Sequence, residues 1–215
     1  MKKEKIKILI ADDHAIVREG LKQIVSEEKD MIVCGEADNS DKIMELLEKE
    51  KWSILILDIN MPGKNGLEIL KDVKQLYPDL PVLILSMFSE EQYGLRAIKA
   101  GASGYLKKVS APDELIKAIR KIVGGGKYIT ESLAEKLADT IGQLKNKNPH
   151  ELLSDREFEI LCNIASGKSA EEISEELSIS INTFYTYRNR ILEKMSMKSN
   201  VELTQYAISN KLIEI

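Results

Sequence analysis

Cysteine is scarce in this chain, with Cys34 and Cys162 the only two among 215 residues. They lie far apart and in no CxxC or Cys/His arrangement, which excludes a disulfide-stapled scaffold and a zinc finger and suits a reducing compartment. Long apolar runs are also missing. None approaches the roughly 20 residues of a membrane span, and the positive start Met1-Lys2-Lys3-Glu4-Lys5 leads into too short an apolar stretch for a signal peptide. No membrane association is expected, and the cytoplasm is the expected compartment. No internal repeat or low-complexity tract occurs, so solenoids and fibrous classes drop out. An excess of positive charge is absent as well. Lys and Arg number 31 against 35 Asp and Glu, a net of −4. Overall charge therefore lends nucleic-acid binding no support, while a local basic face stays open. Hydrophobic content of 43% and charged content of 31% describe an ordinary globular chain.

What is present is a series of short, continuous Ile/Leu/Val runs with polar ends. Ile6-Lys7-Ile8-Leu9-Ile10-Ala11 leads into Asp12-Asp13, Ile54-Leu55-Ile56-Leu57 into Asp58, Pro81-Val82-Leu83-Ile84-Leu85 into Ser86, and Gly104-Tyr105-Leu106 into Lys107-Lys108. Such runs read as strands buried on both faces, the signature of a parallel sheet. A fifth strand is expected at 31–37. Helical spacing fills the gaps at 16–26, 41–49, 66–76, 90–100 with Gly101 as its C′ residue, and from about 111 with Pro112 in the first turn. The pattern predicts an α/β fold, a doubly wound five-stranded parallel sheet. Gly124-Gly125-Gly126 closes it. Residues 126–150 read as a linker, with a helix at 131–143 and a polar stretch at 145–150.

From Leu152 onward the periodicity is helical only, which predicts a second, smaller all-α domain over 151–215, after a first domain over 1–125. Ser154-Asp155-Arg156-Glu157 and Ser199-Asn200-Val201-Glu202 read as capping boxes. Ser169 and Ser180 open two further helices, the second about 181–195. The tight Ser178-Ile179-Ser180 connection between them is helix-turn-helix geometry.

In open α/β sheets ligands sit beyond the carboxyl ends of the strands. The predicted fold therefore gathers three carboxylates, a hydroxyl and an amine at one edge. Clustered carboxylates repel one another unless a cation neutralises them. Mg2+ accepts oxygen ligands and keeps several waters. Phosphoryl transfer to Asp58 then requires mainly positioning and charge neutralisation. Taken singly, Asp12-Asp13 could be a polar turn, and Asp58-Ile59-Asn60-Met61-Pro62-Gly63 could open on an Asx turn; together they favour a site.

Asp12-Asp13, Asp58, Ser86 and the Gly-Tyr-Leu-x-Lys stretch ending at Lys108 resemble the receiver domain of bacterial response regulators, whose fold is flavodoxin-like. The resemblance implies that Asp58 is the phospho-acceptor, that Asp13, Asp58 and the backbone carbonyl of Asn60 coordinate Mg2+ directly, and that Asp12 acts through a water. It implies that Ser86 and Lys108 contact the phosphoryl group, with Lys107 on the surface, and that Tyr105 is the aromatic switch. By pattern alone, Tyr105 reads equally as a plain sheet-edge aromatic. Leu153-Ser154-Asp155-Arg156-Glu157, Gly167-Lys168-Ser169, Glu172-Ile173, Leu177-Ser178-Ile179-Ser180, Thr183 and Ile191-Leu192-x-Lys194-Met195 resemble the four-helix DNA-binding domain of NarL/FixJ (LuxR-type) regulators.

That second resemblance implies a recognition helix from about Ile181, with DNA contacts from Lys168, Asn182, Thr183, Tyr185, Thr186, Tyr187, Arg188, Asn189, Arg190, Lys194 and Lys198. Phe184, where Val is usual, is expected to pack inward. Glu171, Tyr185 and Asn200 stand where the family commonly has Lys, a Lys or small polar residue, and Arg. From Glu151 onward 11 acidic residues oppose 7 basic ones, so a small positive face and a shallow salt dependence are expected. Arg188 and Arg190, two apart on a helix, point in different directions, and at most one is expected at base edges.

The whole implies a regulator loaded at Asp58 by a sensor histidine kinase or a small phosphodonor. On phosphorylation it would uncover its recognition helix and form a homodimer on double-stranded DNA, with the helix at 131–143 transmitting the change. Two other classes stay open. One is a Mg2+ phosphohydrolase, although such enzymes place an acid two residues past the nucleophile and Asn60 stands there. It leaves slow self-phosphorylation and self-dephosphorylation as the only expected turnover. The other is a switch whose acidic second domain binds a protein instead of DNA.

Overall fold

The structure is a computed structural model and describes residues 5–61, 64–110, 112–142 and 148–213. Pro62-Gly63, Ala111, Gln143 and residues 145–147, which figured in the loop, helix-start and linker readings above, lie outside the described residues. The chain divides into two compact units, Met1–Ala134 and Glu135–Ile215.

The first unit alternates β1 (Ile6–Ala11), α1 (Ala15–Ser26), β2 (Met31–Ala37), α2 (Ser40–Lys49), β3 (Ile54–Asp58), α3 (Gly66–Leu76), β4 (Val82–Ser86), α4 (Glu90–Lys99), β5 (Gly104–Lys107) and α5 (Pro112–Val123). All strand pairs are parallel, in the order β2-β1-β3-β4-β5. The predicted sheet is thus observed. β3 and β4 are buried at every residue because helices cover both faces. One core cluster joins Ile8, Ile10, Ile54, Ile56, Leu83, Leu85 and Leu106 to Leu21 and Val25 of α1 and to Leu115, Ile119 and Ile122 of α5. Each such side chain contributes on the order of 1.5–3 kcal/mol on burial. Gly101 has φ +104, the left-handed C′ conformation expected after α4.

The strand order reverses between β1 and β3, so their carboxyl ends diverge into the crevice where Asp12, Asp13 and Asp58 stand. Asn65 closes the loop after β3 by accepting from the Leu67 N–H at 2.8 Å, and the Gly66 N–H donates to Ile59 O at 2.9 Å. A Cβ on Gly66 would lie 2.3 Å from Asp58 O and 2.6 Å from Ile59 Cα, both backbone atoms.

The linker boundaries differ from the sequence reading. The Tyr128 N–H donates to Ser103 O at 2.9 Å and the Tyr105 N–H to Tyr128 O at 3.2 Å, so residue 128 extends the free edge of β5. Leu133 is buried and approaches Gly94 of α4. The division between units then falls inside α6 (Glu131–Gly142). A single-residue bridge leaves no periodicity to read. At the other end, Pro149–Leu152 forms a 3-10 helix, and His150 Nδ1 lies 2.8 Å from the Tyr206 hydroxyl.

The second unit contains α7 (Asp155–Ala165), α8 (Ala170–Glu176), α9 (Ile181–Met195) and α10 (Asn200–Ser209), with α7 packed on α8, α9 and α10. The capping boxes at Ser154 and Ser169 form. The other expected box, at Ser199, differs: Ser199 accepts from the Glu202 N–H at 3.3 Å, but the Glu202 carboxylate takes the Lys198 N–H at 2.9 Å, one residue before the cap. α8 ends with Ser178 at φ +51 and the Ile179 N–H donating to Ser174 O at 2.9 Å, which sets the turn into α9. Phe184 packs inward as expected, 3% exposed.

Because the atoms facing Gly66 are backbone, Gly66→Ala must push β3 and α3 apart. A loss of about 1–3 kcal/mol is expected, the range for overpacking. Trp52, the sole tryptophan, lies in the first unit and reports that transition by fluorescence in urea.

Candidate functional site

Each acid owes its position to a strand end. Asp12 follows β1, and its N–H donates to Ala37 O at 3.1 Å. Its Oδ1 accepts from the His14 N–H at 2.9 Å, a turn that starts α1. Its Oδ2 lies 2.6 Å from Lys108 Nζ. Asp58 is the last residue of β3 and 1% exposed. Its Oδ2 lies 2.8 Å from the same Nζ, while its Oδ1 is buried with no hydrogen-bond partner among the described residues. Asn60 Oδ1 is likewise buried and unpartnered. Asp13 is the more open acid, its Oδ1 2.7 Å from His14 Nδ1. Ligand atoms of Asp12, Asp13, His14 and Asp58 all lie within 4.8 Å of one another.

Ser86 ends β4 and is fully buried; its Oγ accepts from the Phe88 N–H at 3.2 Å. The Lys108 N–H donates to Ser86 O at 2.8 Å, which fixes the lysine beside the acids. Lys107, one residue earlier, is half-buried and ends β5. Tyr105 is 3% exposed and its hydroxyl donates to Phe88 O at 2.9 Å. Tyr105 lies on β5, the edge strand of the sheet, so both readings of it stand; its ring is buried and bonded to the loop that also bonds Ser86.

Three carboxylates face one ammonium. Burial pushes Asp58 up to about 6, against the opposing pull of Lys108 and with a further push from Asp12. Lys108 is pulled down by burial, but Asp58 and Asp12 outweigh this and hold it above the ordinary lysine value. Burial likewise raises the Tyr105 phenol. The set offers oxygen donors at the bottom and an imidazole at the rim. His14 is the site residue that the sequence reading missed, and its position directly after the acid pair was the available signal.

On α9 the structure separates the predicted DNA contacts. Asn182, Thr183, Tyr185, Thr186, Asn189 and Arg190 are exposed, and Tyr187 is half-buried. Arg188 is half-buried and its Nε donates to Asn200 Oδ1 at 2.7 Å. Lys194 reaches Glu157 at 2.6 Å, and Lys168 pairs with Glu176. Lys198 is exposed just before α10. The positive face is therefore smaller than the sequence count suggested, because acids of α7 and α8 hold two of its lysines.

A carboxyl group whose folded pKa lies above its ordinary value binds its proton in the folded state first. Stability then falls as pH rises from about 4 to about 6. Asp58→Asn is expected to stabilise the metal-free first unit at pH 7 by at most about 3 kcal/mol, and the gain should vanish below about pH 4. Urea titrations followed by Trp52 at the two pH values check this.

Comparison with known proteins joins the two halves. Residues 8–120 match the family described as response regulator receiver domain, and residues 151–207 match bacterial regulatory proteins of the luxR family. The chain is 37% identical to the oxygen regulatory protein NreC of Staphylococcus epidermidis over 97% of this chain and 100% of that protein. It is 34% identical to the response regulator UvrY of Escherichia coli over 96% of this chain and 95% of that one. Among solved structures, Salmonella typhimurium RcsB is similar with a TM-score of 0.69 at 26% identity, covering 97% of this chain and 99% of that one. RcsB bound to promoter DNA with a phosphomimetic is similar with a TM-score of 0.65 at 26% identity, covering 96% and 100%. With a receiver and a LuxR-type output matched in order along almost its whole length, the chain belongs to the NarL/FixJ (LuxR-type) family of two-component response regulators, which control transcription by binding DNA.

Proposed function

We propose that Asp58 is the phospho-acceptor and that its phosphorylation, by a sensor histidine kinase or a small phosphodonor, controls promoter binding by α9. The carrying observation is the asymmetry of its carboxylate: Oδ2 is held by Lys108, and Oδ1 is buried and unpartnered. Oδ1 attacks the phosphorus of the donor in line. A P–O bond forms, and the P–N bond of a phosphohistidine or the P–O bond of an acyl phosphate breaks. The leaving atom takes the electron pair.

The donor set suits a hard divalent cation. Three carboxylates against one ammonium leave a negative excess, and the Asp58 and Asn60 oxygens have no partner among the described residues. Asp13, Asp58 and the Asn60 backbone carbonyl would hold Mg2+, with Asp12 acting through a water because His14 and Lys108 already occupy its oxygens. When bound, the ion supplies charge neutralisation for the phosphoryl oxygens. Lys108 then pairs with the phosphoryl group, and the Ser86 hydroxyl donates to it. Asn60 lacks a titratable proton, so hydrolysis of the acyl phosphate is slow.

The signal leaves through the 86–88 loop. Phe88 bonds to Ser86 Oγ on one side and to the Tyr105 hydroxyl on the other, and Tyr105 bonds to Tyr128 ahead of α6. A change at Ser86 is therefore felt at the start of α6, which we take as the transmitting helix. Residues 1–125 act as receiver and 151–215 as output, with pairing of two copies on DNA half-sites as the result. No helix among the described residues is long and apolar enough to cross a membrane, and we take the cytoplasm as the compartment in which the protein acts on DNA.

With Mg2+ and an acyl phosphate, promoter DNA should be bound at least roughly tenfold more tightly, about 1.4 kcal/mol. Asp58→Ala should show no change, and Lys108→Ala a reduced one, in a gel-shift titration. Equal binding by wild type and Asp58→Ala in both conditions would refute phospho-control. Mg2+ affinity, read by calorimetry, should fall as pH drops through about 6, where Asp58 takes up its proton.

A further inference from the structure

The outward face of α9 carries amides where positive charge would be expected. The helix buries Phe184, Ile191 and Met195. Stepping two residues back from each turns about 200° around the helix, to Asn182, Asn189 and Glu193. Thr186 completes this stripe at i+4 from Asn182. All four are exposed. The cations lie elsewhere or are engaged. Arg188 bonds to Asn200, Lys194 to Glu157 and Lys168 to Glu176. Arg190, exposed and without a partner among the described residues, stands on one flank of the stripe, and Tyr185 on the other.

The atoms left free are specific ones. The Asn182 side chain has no hydrogen-bond partner among the described residues. Asn189 Oδ1 receives only a long 3.4 Å contact from Arg188. The Thr186 hydroxyl donates to Asn182 O at 2.9 Å, so what this residue turns outward is its methyl group. In the major groove a carboxamide pairs bidentately with adenine N6 and N7, and a threonine methyl packs on the thymine methyl. Arg and Lys, the readers of guanine, are missing from the centre of the stripe.

We infer that this chain reads A·T pairs, through Asn182 and Asn189, with the Thr186 methyl on a thymine between them. The inference deepens, and rests on, the reading of α9 as the helix that enters the major groove. The N-terminal part of such a helix faces base edges, which places Asn182 and Thr186 deepest. Seven residues of helix rise about 10.5 Å, roughly three base-pair steps. Each half-site should then hold two specified A·T pairs about three steps apart. Arg190, at the flank, adds at most one guanine or a phosphate. With few cations free, base contacts rather than phosphate contacts carry the discrimination.

The test is selection of duplexes from a randomised pool by the full chain with Mg2+ and beryllofluoride, repeated with Asn182→Ala, Asn189→Ala and Asn189→Arg. Both positions are exposed, and circular dichroism checks the folding of each variant. The wild type should enrich the paired A·T positions. Each alanine variant should lose roughly tenfold discrimination at one of them only, and Asn189→Arg should move that one pair toward G·C. Enriched sites with G·C at both positions, or sites unchanged by all three substitutions, would overturn the inference and leave DNA binding intact. Failure to enrich any duplex would overturn it together with the DNA-binding reading.

Discussion

Lys108 Nζ lies between Asp12 and Asp58, within 2.8 Å of both, and the first unit is organised around that contact. Burying two carboxylates beside a third costs free energy unless opposite charge accompanies them. One ammonium meets part of that cost. The remainder appears as an Asp58 carboxyl that keeps its proton to about pH 6 and an oxygen with nothing to bond. The site is thus under-neutralised by construction. On the proposed function, a divalent cation and a phosphoryl group would bring charges of both signs to this pocket.

On the proposed phospho-control, the same contact would make the pocket a switch as well as a receptor. Lys108 cannot serve Asp58 and a phosphoryl group in one geometry, and its backbone is tied to Ser86. Phe88 bonds to both Ser86 Oγ and the Tyr105 hydroxyl, and the Tyr105 N–H bonds to Tyr128 O. Ser86 and Tyr105 are buried and Phe88 and Tyr128 half-buried, so these hydrogen bonds cost free energy to leave unmade. A change at one end must be answered at the next. Distance is covered by a few stiff links rather than by a large motion.

In the second unit, charge is used locally. Glu157 is buried at the start of α7 and takes Lys194 from α9, and Glu176 takes Lys168. These pairs take up two of the lysines expected to contact DNA. On the inference drawn above, an acidic composition and a DNA-binding role are compatible, because recognition by amides needs hydrogen-bond geometry rather than net charge.

The strands, their polar ends and most helix limits were legible from residue order, because buried parallel strands must be continuous Ile/Leu/Val runs and helix starts need Ser, Asn or Asp caps. Asp12, Asp13, Asp58, Ser86 and Lys108 could be proposed as neighbours because the sheet topology allows only one edge for them. Residue order could not show what depends on side-chain direction and single contacts. It missed His14 against Asp13, left Tyr105 ambiguous, assigned Tyr128 to a linker, and counted Lys194 and Lys168 as free. Periodicity records which face a residue is on. Only the folded chain decides which atom on that face has already found its partner.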